Sequence, residues 1–273
     1  MTQTTHDDFG KGSVVVLLHG YPFDRSMWRD QAAVLRANGF RVIAPDLPGL
    51  GANVAPTSVG EASELNHRLK SVPLTTMPEM AREVARLMDE LNIDQAIICG
   101  LSMGGYVAFE FAHLFPQRVR GLVLAGTRAP ADNEQERKGR EQQVEKMLAE
   151  GMTGLAQATL PKLLARRTLA EKPDVVKCVR EMILKSDPKG AAAAQRGMAV
   201  RRDYTGDLSA IEVPTLIVVG REDPIRPVTD AEFMHEQIRG SRLEIIEDAA
   251  HMTNMEQPEV FNRALGDFLR LIH

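Results

Sequence analysis

The sequence is short of cysteine, of aromatic side chains and of any excess of one charge, and each shortage excludes something. Two cysteines among 273 residues, Cys99 and Cys178, cannot build a disulfide framework, and neither stands in a CxxC or metal-ligand spacing. Cys99 closes an apolar run and reads as a buried, inert thiol. One disulfide is allowed by parity, but nothing else points to an oxidising compartment. A formal net charge of -4 argues against a nucleic-acid binder, which carries a strong basic excess. No polybasic cluster is present to meet an acidic membrane surface. Long hydrophobic runs are missing too. The run Val14–Leu18 is too short for a membrane span or a secretion signal, and Met1 to Gly12 is polar. The expectation is a cytoplasmic protein, monomer or homodimer, with neither nucleic acid nor membrane as partner. An aromatic content of 5% also makes a stacked aromatic cage a poor description of any ligand site.

What is present is ordinary in bulk and informative in order. Hydrophobic residues make up 44% and charged residues 26%, as in soluble globular chains, and the length suits one large α/β domain with a subdomain, or two small domains. Short runs rich in Val and Ile are predicted strands: Val14–Leu18, Arg41–Ala44, Ala96–Cys99, Gly121–Leu124, Thr215–Val219 and Leu243–Ile246. Apart from Arg41, Thr215 and Glu244 they are apolar rather than alternating, as expected of central parallel strands covered on both faces. Helical periodicity fills the gaps at Ser26–Asn38, Pro78–Leu91, Met103–Phe115, Asp230–Arg239 and Glu256–Leu271, which predicts a mostly parallel sheet with helices on both faces. From about Arg128 to Tyr204 no strand is predicted. Amphipathic helices at Asn133–Glu150, Asp174–Lys185 and Lys189–Arg201 read instead as an all-helical cap. The division expected is a core of residues 1–127 and 206–273 with a cap of 128–205.

Chemistry enters at Gly100-Leu101-Ser102-Met103-Gly104. The bare G-x-S-x-G pattern arises by chance in roughly one chain in ten of this length, so its placement has to carry the argument. It sits between a predicted strand and a predicted helix, where a serine is held strained with its hydroxyl above the sheet. The helix start aims its free amides at the same place. Ser102 is therefore the candidate nucleophile; the competing reading is a helix-start serine flanked by packing glycines. After the first central strand come His19-Gly20-Tyr21-Pro22, and the backbone amides of Tyr21 and Met103 are assigned as oxyanion donors. His19 reads as a brace for this loop.

The acid and base should follow in the order Ser, Asp or Glu, His, each after a strand. Gly220-Arg221-Glu222-Asp223-Pro224 follows one strand and Glu247-Asp248-Ala249-Ala250-His251 the next. His251 is the candidate base and Asp223 its orienting acid, with Glu222 and Asp248 as neighbouring rivals. His67, His113 and His235 fall in helical or inserted segments and read as packing or surface residues.

These pieces, in this order, resemble the α/β-hydrolase superfamily over nearly the whole chain from Val14. Asp46-Leu47-Pro48-Gly49-Leu50-Gly51 and Ala250-His251 with Glu256-Gln257-Pro258 behind it strengthen the likeness. Within the superfamily the sequence is similar to small bacterial carboxylesterases, with cofactor-free haloperoxidases and enol-lactonases nearby. The resemblance implies the α/β-hydrolase fold, no cofactor and no metal. Two departures stand out: the usual N-terminal antiparallel hairpin is short or missing, and Ala52–Thr76 is longer than the corresponding loop. That loop is expected to flank the site mouth or cover a bare sheet edge, dimerisation being the other remedy for the edge.

Substrate choice is written more faintly. Phe23 and Leu101 flank the nucleophile, and Met147, Leu160, Leu164 and Met198 of the cap complete an expected apolar pocket, although any one of them could simply pack cap helices together. The reaction expected is hydrolysis of small to medium uncharged esters through an acyl-enzyme. Lactone opening, perhydrolysis or C–C bond hydrolysis on the same residues compete with it, as does a non-catalytic ligand receptor. A serine at this turn argues against dehalogenases and epoxide hydrolases of the fold, which use an aspartate.

Overall fold

The computed structural model describes residues 4–53 and 74–272. Most of the 52–76 loop, with His67, lies outside the described residues. The sheet runs β1-β3-β2-β4-β5-β6-β7, and every neighbouring pair is parallel except β1 with β3. The central strands are β2 (Val14–Leu18), β4 (Ala96–Leu101), β5 (Val119–Ala125) and β6 (Thr215–Gly220), with β3 (Arg41–Pro45) and β7 (Arg242–Ile246) outside them. Their apolar side chains are almost wholly closed to solvent from β2 to β6, because helices cover both faces.

The antiparallel member is β1 (His6–Phe9), a four-residue edge strand. Its sequence, His-Asp-Asp-Phe, has no apolar alternation, which is why periodicity gives no sign of it. It is held by register, His6 opposite Pro45 and Phe9 opposite Val42, and by charge: Asp8 pairs with Arg41 at 2.8 Å and Asp7 with Arg25 at 3.0 Å. Among the described residues, β1 alone stands where a hairpin was expected to be short or missing.

Helices α1 (Arg29–Ala37), α2 (Met77–Glu90) and α3 (Met103–Leu114) alternate with the first strands. A capping box of Thr76 and Glu79 starts α2. Beyond β5 the chain is helical until β6: α4 (Glu134–Glu150), α5 (Met152–Leu163), α6 (Arg166–Glu171), α7 (Pro173–Lys185) and α8 (Pro188–Ala199). Proline opens α7 and α8 at a position where its missing N–H costs nothing. The last elements are α9 (Val228–Gln237), α10 (Thr253–Glu256) and α11 (Pro258–Leu269). One continuous helix was expected over Glu256–Leu271; the chain instead breaks at Gln257, whose φ of -131° and ψ of 62° precede Pro258.

The entry and exit of the inserted helices are joined by one buried carboxylate. Asp132 Oδ1 accepts from Arg128 at 2.9 Å and from Arg201 at 2.6 Å, and Arg140 reaches its other oxygen. Burial alone would push the Asp132 carboxyl up, but Arg140 and Arg201 outweigh it and hold it well below the usual range. Arg201 also lies over the Tyr106 ring of α3, 4.1 Å from its centroid.

Candidate active site

Ser102 is the residue between β4 and α3, with φ of 56° and ψ of -111°. A positive φ is strained for a side chain of this kind and persists only where the surroundings over-determine it. Here they do. The Ser102 N–H donates to the Ala125 carbonyl at 2.8 Å, and the Ser102 carbonyl accepts from the Thr127 hydroxyl at 2.9 Å and from the Gly105 N–H at 3.0 Å. The turn also leaves no space for side chains beside it. A Cβ on Gly100 would stand 2.1 Å from the Gly104 carbonyl oxygen, and one on Gly104 would stand 2.1 Å from that of Leu18.

As the first residue of α3, Met103 has an N–H that no intrahelical carbonyl can take. Across from it lies the loop after β2, where the Phe23 N–H closes a turn onto the Gly20 carbonyl at 3.0 Å. Leu101 and Phe23 pack against Gly20 from two sides, and the Tyr21 hydroxyl points to the Met147 sulfur at 3.6 Å. His19 is fully buried and spans two loops. Its Nδ1 bonds the Gly20 carbonyl at 2.9 Å, and its Nε2 accepts the Leu47 N–H at 2.8 Å. Burial pushes its pKa down, so the neutral ring with its proton on Nδ1 is the form this network requires.

The rival carboxylates separate cleanly. Asp223 Oδ2 stands 2.7 Å from His251 Nδ1, with both side chains buried, while Asp223 Oδ1 accepts the N–H groups of Ile225 and Arg226 at 2.8 and 2.9 Å. Glu222 is exposed and reaches the Arg166 N–H at 3.4 Å; Asp248 is half-buried and pairs with Arg167 at 2.7 Å. The His251 ring lies against Gly126, close enough that a Cβ there would meet its Cε1 at 3.4 Å. Gly126 follows Ala125, whose carbonyl binds the Ser102 amide. The three candidate residues are thereby brought to one end of the sheet. His113 pairs loosely with Asp207 at 3.4 Å and His235 bonds Ser241 at 2.8 Å, away from this site.

The expected pocket residues are dispersed among several surroundings. Met147 faces Tyr21. Leu164 follows Leu163, whose carbonyl accepts the N–H groups of His251 and Met252, each at 3.1 Å. Leu160 is half-buried against the core. Met198 turns its sulfur to Arg140 at 3.6 Å, and the same guanidinium bonds Gln195 at 2.7 Å, so this side of the inserted helices is more polar than a methionine–leucine pattern implies. Sequence reasoning missed Thr127, whose hydroxyl supports the strained serine, and Arg226, which bonds the Tyr106 hydroxyl at 3.1 Å through Nε and so ties the Asp223 loop to α3. Neither has a role that its sequence context marks.

A family model described as the alpha/beta hydrolase fold matches residues 13–258. The chain belongs to the α/β-hydrolase family. Among its relatives, 3-oxoadipate enol-lactonase 2 of Acinetobacter baylyi is 30% identical over 240 residues, covering 88% of this chain and 82% of its own. A thermophilic esterase from Thermogutta terrifontis, solved with malate bound, superposes with a TM-score of 0.89 at 38% identity, over 99% of this chain and 94% of its own. The enol-lactonase from Burkholderia xenovorans LB400 superposes with a TM-score of 0.85 at 27% identity, over 98% and 96%. Among the described residues of this α/β hydrolase, no helix is long and apolar enough to cross a membrane.

Proposed function

We propose that this chain hydrolyses small carboxylic esters through an acyl-enzyme on Ser102, with the helices of residues 128–205 acting as a cap over the site. The observation that carries the reading is the buried contact of 2.7 Å between His251 Nδ1 and Asp223 Oδ2, beside a serine held at positive φ. In this reading Asp223 holds the Nδ1 proton and leaves Nε2 free to take the proton of the Ser102 hydroxyl. The serine oxygen attacks the ester carbonyl, and the negative charge that develops on the carbonyl oxygen faces the amides of Tyr21 and Met103. Deleting one such donor raises the barrier by about 3–4 kcal/mol in related chemistry. The imidazolium returns its proton to the leaving alcohol. Water, deprotonated by the same nitrogen, then releases the acid and regenerates Ser102.

The enol-lactonase relatives favour a second substrate form on the same residues, a lactone, in which the leaving alcohol stays tethered to the acyl group. The polar side formed by Arg140, Gln195 and the Tyr21 hydroxyl accommodates a ring or acyl chain bearing oxygen better than a bare alkyl chain. A panel of p-nitrophenyl esters of rising acyl length and simple lactones, run with wild type and Ser102→Ala, tests both forms. Turnover of short esters or lactones, abolished by the substitution, is expected. Equal turnover by Ser102→Ala would remove Ser102 as the nucleophile, and tight ligand binding with no product from wild type would favour a receptor instead.

A further inference from the structure

Glu256 is a carboxylate with no exposed surface, set five residues after His251 and absent from the reaction described above. Both of its oxygens are engaged by backbone. Oε1 accepts the N–H of Ala250, the residue before His251, at 2.8 Å; Oε2 accepts the N–H of Ala165, between α5 and α6, at 2.6 Å. The Lys172 amine binds its backbone carbonyl from α6's far end. A second link runs in parallel, because the N–H groups of His251 and Met252 both dock on the Leu163 carbonyl. On this side the histidine loop is fastened to the inserted helices, and Glu256 is the only side chain among the described residues whose carboxylate bonds both partners.

We propose that Glu256 is a positioning residue that fixes the His251 imidazole by binding the loop that carries it to the start of α6. Burial pushes the Glu256 carboxyl up, while the amides of Ala165 and Ala250 pull it back, as two short bonds to an anion should. A glutamine keeps the shape but presents an NH2 group to one of the two N–H donors, so one bond becomes a donor–donor contact. Displacing a catalytic group by about 1 Å costs on the order of 10²-fold in rate. The role is separable from folding, because it acts on the chemical step and leaves the substrate pocket in place.

The experiment compares wild type with Glu256→Gln, using p-nitrophenyl acetate and the downfield proton resonance of a histidine Nδ1–H bonded to a carboxylate. The expected result is a kcat lower by about 10–100-fold, a KM within about threefold of wild type, and a resonance broadened or moved upfield. A folded Glu256→Gln protein with wild-type kcat and an unchanged resonance would overturn the proposal. Should that variant fail to fold, Ala165→Pro removes the other partner. Ala165 has φ of -61° and ψ of 154°, and Leu164 before it is extended, so proline fits the backbone while deleting the N–H that reaches Glu256. A fall in kcat at kept KM is again expected, and a wild-type kcat would count against the proposal. The inference rests on His251 being the base, and the measurements tell the two apart. Fluorophosphonate labelling that survives in His251→Ala defeats that reading, whereas an unmoved resonance in Glu256→Gln defeats only the role given to Glu256.

Discussion

His19 and Leu47 are joined across two loops by a bond of 2.8 Å from the Leu47 N–H to the imidazole Nε2. The bond needs an unprotonated nitrogen, and burial supplies the reason the ring stays neutral by pushing its pKa below the ordinary 6.5. The sign of the pH effect follows. Above pH 6.5 both folded and unfolded chains hold a neutral ring, and nothing is lost. As pH falls below 6.5 the unfolded chain takes up a proton that the folded chain refuses, so stability declines. Denaturant midpoints recorded between pH 8 and pH 5 should fall for wild type, and the slope should be shallower in His19→Gln. Parallel slopes would contradict the assignment.

The carboxylate on His251 should be Asp223 and no other. Asp223→Asn is expected to lower kcat by about 10³–10⁴-fold by favouring the wrong tautomer. Glu222→Gln, exposed, and Asp248→Asn, half-buried beside Arg167, should stay within about threefold of wild type, since neither side chain reaches His251. A large loss in either of the latter would move the acid to another position.

Tyr21 is assigned its part through backbone. Its hydroxyl donates to the Met147 sulfur, a weak partner, and lies within hydrogen-bond reach of Gln195. Tyr21→Phe should therefore keep kcat for p-nitrophenyl acetate within about fivefold, since a neutral hydrogen bond is worth roughly 1 kcal/mol. A collapse of kcat would mean that the hydroxyl, not the amide, meets the reacting oxygen.

Asp132 should anchor the inserted helices. Removing one member of a buried ion pair costs about 3–5 kcal/mol, so Asp132→Asn ought to lower the unfolding midpoint sharply in a thermal scan. Its carboxyl is held below the ordinary 3.8 in the folded chain. The stabilisation is thus complete above pH 3.8 and is lost as pH falls from there toward the depressed folded value. Wild type should lose stability in that window faster than Asp132→Asn does.

Much of this was legible in the residues. The strands β2 to β6 announce themselves by short apolar runs, and the strained turn at Ser102 is marked by Gly100 and Gly104, where backbone passes too close for a Cβ. β1 carries no such mark, since pairing with β3 and ion pairs to Arg25 and Arg41 hold a sequence that would not choose a strand alone. The choice among Glu222, Asp223 and Asp248 lay in loop backbone, where a one-residue change of position sends a carboxylate to the imidazole or to solvent. Glu256 was visible as part of a motif but not as a link, because the groups it binds are backbone amides, and every residue but proline has one.

The small residues of α8 set a limit on remodelling. A Cβ on Gly190 would stand 1.8 Å from the Gly49 carbonyl oxygen, and one on Gly197 would stand 1.8 Å from that of Thr75; the Thr75 N–H meanwhile donates to Ala193 at 3.2 Å. Backbone rests on backbone along this helix, with no side chain between to be trimmed or exchanged. A directed-evolution library aimed at new substrates would waste its diversity at Gly190 and Gly197. Variation at Gln143 and Met147 on α4, which meet Gln195 and Tyr21 through side chains alone, changes those contacts while the chain trace stays as it is.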